Sequence, residues 1–110
     1  MRTFIGFAIA GMAVMLLSAP AWAGNKHVDE AIHHAKEAVE HGKAGHADVA
    51  TKHAEGALMH AQGAQKDMKN GHLDEGVKHL EEAVSHGKQG HADAVAKHAE
   101  SAVMHLSEVK

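Results

Sequence analysis

HVDEAIHHAKEAVEHGKAGHADVATKHAEGALMH, residues 27–60, aligns without a gap with HLDEGVKHLEEAVSHGKQGHADAVAKHAESAVMH, residues 72–105. The offset is 45 residues and the stretch is a duplication. Each copy holds two tracts with a seven-residue rhythm, joined by Gly42-Lys43-Ala44-Gly45 or by Gly87-Lys88-Gln89-Gly90. In the first tract Val28, Ala31, Ile32, Ala35, Ala38 and Val39 fall on one helical face. The other three tracts repeat the stripe with Ala47, Ala50, Ala54, Ala57 and Leu58; with Leu73, Val77, Leu80, Ala83 and Val84; and with Ala92, Val95, Ala99, Ala102 and Val103. Four amphipathic helices with short connections predict an all-α, up-down-up-down antiparallel four-helix bundle built from two duplicated hairpins. The bracketing glycines are expected to stop each helix and allow the reversal, and Asn70-Gly71 to end the segment between the copies in the same way.

Twelve of the thirteen histidines share that rhythm: His27, His34, His41; His46, His53, His60; His72, His79, His86; and His91, His98, His105. Seven residues are two helical turns, so each tract carries a histidine stripe at the margin of its apolar face. The numbers of His27 and His60, His34 and His53, and His41 and His46 each sum to 87, as an antiparallel hairpin in register requires. His72 and His105, His79 and His98, and His86 and His91 repeat this at 177. The stripes can form six two-histidine rungs within the hairpins, or pair the first helix with the fourth and the second with the third; the pattern satisfies both.

Imidazole is the commonest metal ligand, but histidines about 10.5 Å apart on one helix cannot share an ion whose bonds to nitrogen are about 2.0 Å. A second ligand must come from the facing helix or from three or four residues away. Glu30 lies three after His27 and four before His34, Glu37 stands likewise between His34 and His41, and Glu75 and Glu82 repeat this around His79. Val49, Gly56, Ala94 and Ser101 occupy the equivalent places on the second and fourth helices. The expected site is two imidazoles and one carboxylate, completed by water, a donor set that suits Cu(II) first and also Ni(II) and Zn(II). A single histidine at a core margin is ordinarily just solvated, but twelve in register have no such explanation. His33, replaced by Lys78 in the second copy, is read as a solvent residue, and Met59 and Met104 as surface or inter-helix filler.

Residues 1–23 read as a cleaved secretory signal: Arg2, an apolar run from Phe4 to Leu17, then Ala21-Trp22-Ala23 before Gly24. The run is about 14 residues, short of the roughly 20 that span a membrane. Removing 23 of 110 residues leaves an 87-residue domain, 24–110, expected to be exported to the periplasm as a soluble monomer without stable membrane insertion. Both Phe, the Trp and the Pro lie in the signal, and the chain has no cysteine. Stability must therefore come from helix packing, from metal, or from both. Without Arg2, ten lysines face fourteen acidic residues, and a formal charge of −4 argues against nucleic acid.

The histidine heptads and turn glycines of residues 24–110 resemble the small metal-binding protein family, histidine-rich periplasmic four-helix bundles of ammonia-oxidising bacteria. The resemblance implies binding of several divalent ions, copper above all, in buffering, detoxification or delivery. Catalysis is not expected. A di-iron oxidase needs paired core-facing E-x-x-H motifs, and only Glu30-Ala31-Ile32-His33 has that spacing, while attached haem needs cysteine. The alternative is a pH-responsive stress or interaction protein, since thirteen imidazoles titrating near pH 6.5 would swing the charge from about −4 towards about +9.

Overall fold

The computed structural model describes residues 25–110; the expected signal, residues 1–23, lies outside them. Among the described residues are four helices: α1 Lys26–Lys43, α2 Ala47–Asp67, α3 Gly71–Lys88 and α4 Ala92–Ser107. Each packs on its neighbour in sequence and α1 closes onto α4, giving the antiparallel four-helix bundle that the heptads predict. None of the helices is long and apolar enough to cross a membrane.

Asparagine fixes where both copies start. The Asn25 side chain accepts from the amides of His27 (2.7 Å) and Val28 (3.4 Å), and Asn70 from those of His72 (2.8 Å) and Leu73 (3.2 Å). These bonds satisfy amides that a helix N-terminus otherwise leaves open. Asn70-Gly71 therefore begins α3 instead of ending what precedes it, a correction to the sequence reading. The reversal at each hairpin belongs to Gly45 and Gly90 alone, with φ of 85° and 84°. There the His46 amide reaches back to the His41 carbonyl at 2.9 Å and His91 to His86 at 3.0 Å, the six-to-one bond of a Schellman turn.

Gly42 and Gly87 do not stop their helices, contrary to expectation; both are buried in the last helical turn. A Cβ on Gly42 would lie 2.8 Å from the Ala92 carbonyl oxygen and 3.0 Å from the Ala96 Cβ. Gly87 meets Thr51, the first-copy equivalent of Ala96. The duplication thus brings α1 against α4 and α2 against α3 at two equivalent glycine contacts. Alanine in an open helical position gains about 1 kcal/mol over glycine, but overpacking a tight contact costs about 1–3 kcal/mol. Gly42→Ala is therefore expected to melt below the parent, whereas Gly71→Ala, with nothing within 4 Å of its Cβ, is not. Thermal melts followed by circular dichroism check this, and a Gly42→Ala protein as stable as the parent would contradict the close α1/α4 approach.

The core follows the predicted stripe but reaches further along α2 and α4. Ala61, Ala64, Ala96 and Leu106 are buried beyond the expected set, while Ile32, Val39, Ala47, Leu58, Val84, Ala92 and Val103 are only partly so. Thr51 is buried too, its hydroxyl donating to the Ala47 carbonyl at 2.6 Å. Leu73, Leu80, Leu106 and Val95 are the largest fully buried side chains; most of the remainder is alanine. The copies exchange volume: Ala31 and Ala61 in the first become Gly76 and Leu106 in the second, and the Leu106 side chain occupies the space above Gly76. Total volume is nearly conserved, which is the substitution cores tolerate best.

Candidate metal centre

With the glycine contacts on the α1/α4 and α2/α3 seams, the histidines gather on the other two. His27 and His60 bring their Nδ1 atoms to 3.2 Å, His34 and His53 to 3.5 Å, and His72 and His105 to 3.2 Å. The remaining rungs are looser, with ring centroids 6.0 Å apart for His41 and His46, 5.8 Å for His79 and His98, and 6.0 Å for His86 and His91. Of the two pairings open to the sequence, the hairpin seams are the ones formed.

Rungs are only half of the geometry. Between them the rings stack diagonally and nearly parallel: His34 on His60 at 5.7 Å and 9°, His41 on His53 at 5.4 Å and 3°, His79 on His105 at 5.5 Å and 11°, and His86 on His98 at 5.2 Å and 9°. Helical side chains lean toward their own N-terminus. In an antiparallel pair His34 therefore leans toward the level of His60 while His60 leans toward His34, whereas His34 and His53 lean apart. Each hairpin carries one unbroken column of six imidazoles, alternating tilted rung and parallel stack. Pairing residues by their summed numbers matches Cα levels and misses this lean.

The lean also decides where the carboxylates act. Ligand atoms of Glu30, His34 and His60 lie within 4.8 Å of one another, as do those of Glu37, His41 and His53, and of Glu75, His79 and His105. These three sets are built on diagonal stacks, so the expected rung-plus-Glu arrangement is corrected there. The fourth set, His79, Glu82 and His98, does use a rung. The Glu82 carboxylate lies 3.1 Å from His98 Nδ1 and 3.8 Å from His79 Nδ1. Its first-copy equivalent, Glu37, instead lies 3.9 Å from His41 Nε2.

Seven of the twelve striped histidines, His34, His41, His53, His60, His79, His98 and His105, are thus grouped with four acidic residues. His27 and His72, both exposed, pair with His60 and His105 outside the carboxylate sets. His46 and His91 stand exposed at the hairpin end, next to His41 and His86. His86 belongs to no carboxylate set. Gly56 and Gly63, which offer no ligand, leave room for imidazoles: a Cβ there would lie 3.4 Å from the His34 ring and 3.3 Å from that of His27. Met59 and Met104 are exposed, as expected of surface residues. His33 is exposed but touches the site, its ring edge-on to His34 at 5.7 Å.

The donors suit a divalent ion. Bonds of about 2.0 Å place two ligands about 3.3 Å apart at tetrahedral angles and about 4.0 Å apart when opposite, so Nδ1 pairs at 3.2–3.5 Å are already within bite distance. The carboxylate sets, with ligand atoms within 4.8 Å, need closure by up to about 1.5 Å to reach the tetrahedral spacing, within side-chain rotation. The buried Nδ1 atoms of His79 and His86 have no hydrogen-bond partner, although a buried polar atom ordinarily has one. Burial pushes the His34 imidazole below its ordinary value, positive charge on His33, His53 and His60 acts the same way, and Glu30 opposes them. His34 is thereby held in the neutral form that binds metal.

A family model described as small metal-binding protein matches residues 1–109. A search of curated proteins finds no match to the chain.

Proposed function

Because the chain belongs to the small metal-binding protein family, we propose that it takes up several Cu(II) ions on the two histidine columns, with Ni(II) and Zn(II) as weaker cargo. The observation that carries this reading is the set of four Glu-and-two-His groups, each with ligand atoms within 4.8 Å of one another. Nitrogen and oxygen donors without thiolate suit these ions, and the usual stability order places Cu(II) first. The striped histidines and Glu30, Glu37, Glu75 and Glu82 are the proposed ligands, with two imidazoles per ion. The protein acts as a buffer or carrier: its sites are half-exposed and made of two or three side chains, an arrangement that releases ions as readily as it takes them up. The secretory signal expected in residues 1–23 supports a periplasmic role in metal detoxification or delivery.

Isothermal titration of the protein with Cu(II), Ni(II) and Zn(II) tests this. We expect more than one Cu(II) per chain, affinity in the order Cu(II) first, and proton release that grows as the pH approaches the imidazole range. Saturation by a single ion would contradict the columns. A chain that takes up none of the three while changing charge between pH 7 and pH 5 would instead support the pH-responsive reading.

A further inference from the structure

Every imidazole inside a column has two imidazole neighbours. His34 forms a rung with His53 and a stack with His60; His53 forms a rung with His34 and a stack with His41. Successive two-histidine sites therefore share a ligand and cannot both be filled by ions that each demand two. Rung and stack alternate every half heptad, so neighbouring sites are about 5 Å apart along the helix axis.

The duplication shows one carboxylate in both of the positions such a layout needs. Glu82 lies against the rung His79 and His98, while its equivalent Glu37 lies with the stack His41 and His53. In first-copy numbers the Glu82 arrangement is Glu37 on the rung His34 and His53. The two copies differ in which α1-type histidine completes the set, and share the carboxylate and the facing imidazole. In the second copy the imidazole that would complete the alternative set is His86, stacked on His98 at 5.2 Å with its buried Nδ1 unpartnered.

We propose that each column is a track along which a bound ion passes between overlapping histidine pairs without leaving the protein, Glu37 and His53, or Glu82 and His98, holding it through the step. The step is a ligand exchange with no change of oxidation state. In the first copy the ion keeps Glu37 and His53, its bond to His34 breaks, and a bond to His41 forms. In the second it keeps Glu82 and His98, and His86 replaces His79. Two ligands of three are retained, so the ion is never bare. The end rungs, His27 with His60 and His41 with His46, and their counterparts, each carry one exposed imidazole and are where ions join or leave. The α1/α2 and α3/α4 seams lie on opposite sides of the bundle, so the two tracks work separately.

This inference rests on the proposed metal binding, and its test separates the two. Zn(II), which is diamagnetic, is added at less than one ion per chain, and the histidine Cε1–H signals are followed by NMR exchange spectroscopy. A neighbouring imidazole is held at millimolar or higher effective concentration, so transfer within a track at about 10 μM protein should outpace transfer between molecules by about a hundredfold. The signals of His34, His41 and His53 should exchange together, at a rate independent of protein concentration and faster than a chelator strips the ion. In the Glu37→Gln, Glu82→Gln protein the ratio of within-track exchange to chelator release should fall about tenfold, the scale of one lost coordinating group. Zn(II) bound to a fixed histidine set, or exchange that rises with protein concentration, would overturn the track and leave metal binding standing. An unchanged exchange-to-release ratio in the double variant would remove the carboxylate from the step. Histidine signals that Zn(II) does not move at all would overturn both readings.

Discussion

Saturating Cu(II) is expected to raise the melting temperature by roughly 20 °C or more, because ions held between two helices bind the folded chain and not the unfolded one. Each site filled at a hundred times its dissociation constant contributes about 2.7 kcal/mol. One ion on each hairpin therefore contributes about 5 kcal/mol, and for a domain of under 100 residues each kcal/mol moves the midpoint by about 4–8 °C. The metal-free protein has little to set against this. Its core is chiefly alanine with Leu73, Leu80, Leu106 and Val95 as the bulkiest fully buried side chains, and there is no disulfide. Melts with and without Cu(II), and again after excess chelator, measure the effect. A rise of only a few degrees at full occupancy would mean that the unfolded chain binds copper as well as the bundle does, and the inter-helix sites would be wrong.

The fold was legible because one heptad serves two purposes. Val28, Ala31, Ala35 and Ala38 mark the buried face of α1, and His27, His34 and His41 run beside them with the same period. Helix number and order follow from that pattern. The choice of seam was not read from the histidines, since their register fits either neighbour. The deciding residues were Gly42 and Gly87, whose missing side chains let α1 approach α4 and α3 approach α2. They were read as turn residues because they precede Gly45 and Gly90 by three positions, yet only the latter have positive φ.

The ligand groups were legible as residue types and less so as sets. Spacing identified Glu30, Glu37, Glu75 and Glu82, since three and four residues along a helix are neighbours whatever the partner does. Which histidines join each carboxylate depends on the backward lean of side chains in antiparallel helices, a directional property that summed residue numbers ignore. The difference between Glu37 and Glu82 lay beyond any reading of the repeat, because both have the same residues three before and four after. The two copies place one carboxylate differently, and both placements keep the facing imidazole, His53 or His98, in the set.

Lowering the pH from 7.5 to 5 is expected to weaken each two-histidine site by about a thousandfold. An imidazole of ordinary pKa, about 6.5, is mostly neutral at pH 7.5 and about 97% protonated at pH 5, so each ligand costs about thirtyfold and two cost about 10³. Sites that contain His34 should lose less than this. Its imidazole is held below the usual value by burial and by His33, His53 and His60, so at any pH in this range fewer protons compete for it. The same shift acts on the metal-free fold. The unfolded chain takes up this proton first as the pH falls, so the contribution of His34 to stability is present above about pH 6.5 and lost as the pH falls through its lowered folded value. Copper released into a chelator of known affinity, measured across this range, gives the loss per site, and the Cε1–H signals show which imidazoles let go. Affinity that is flat between pH 7.5 and 5 would exclude imidazole as the ligand. Release from His34 and His60 ahead of the rest would contradict the lowered His34 value.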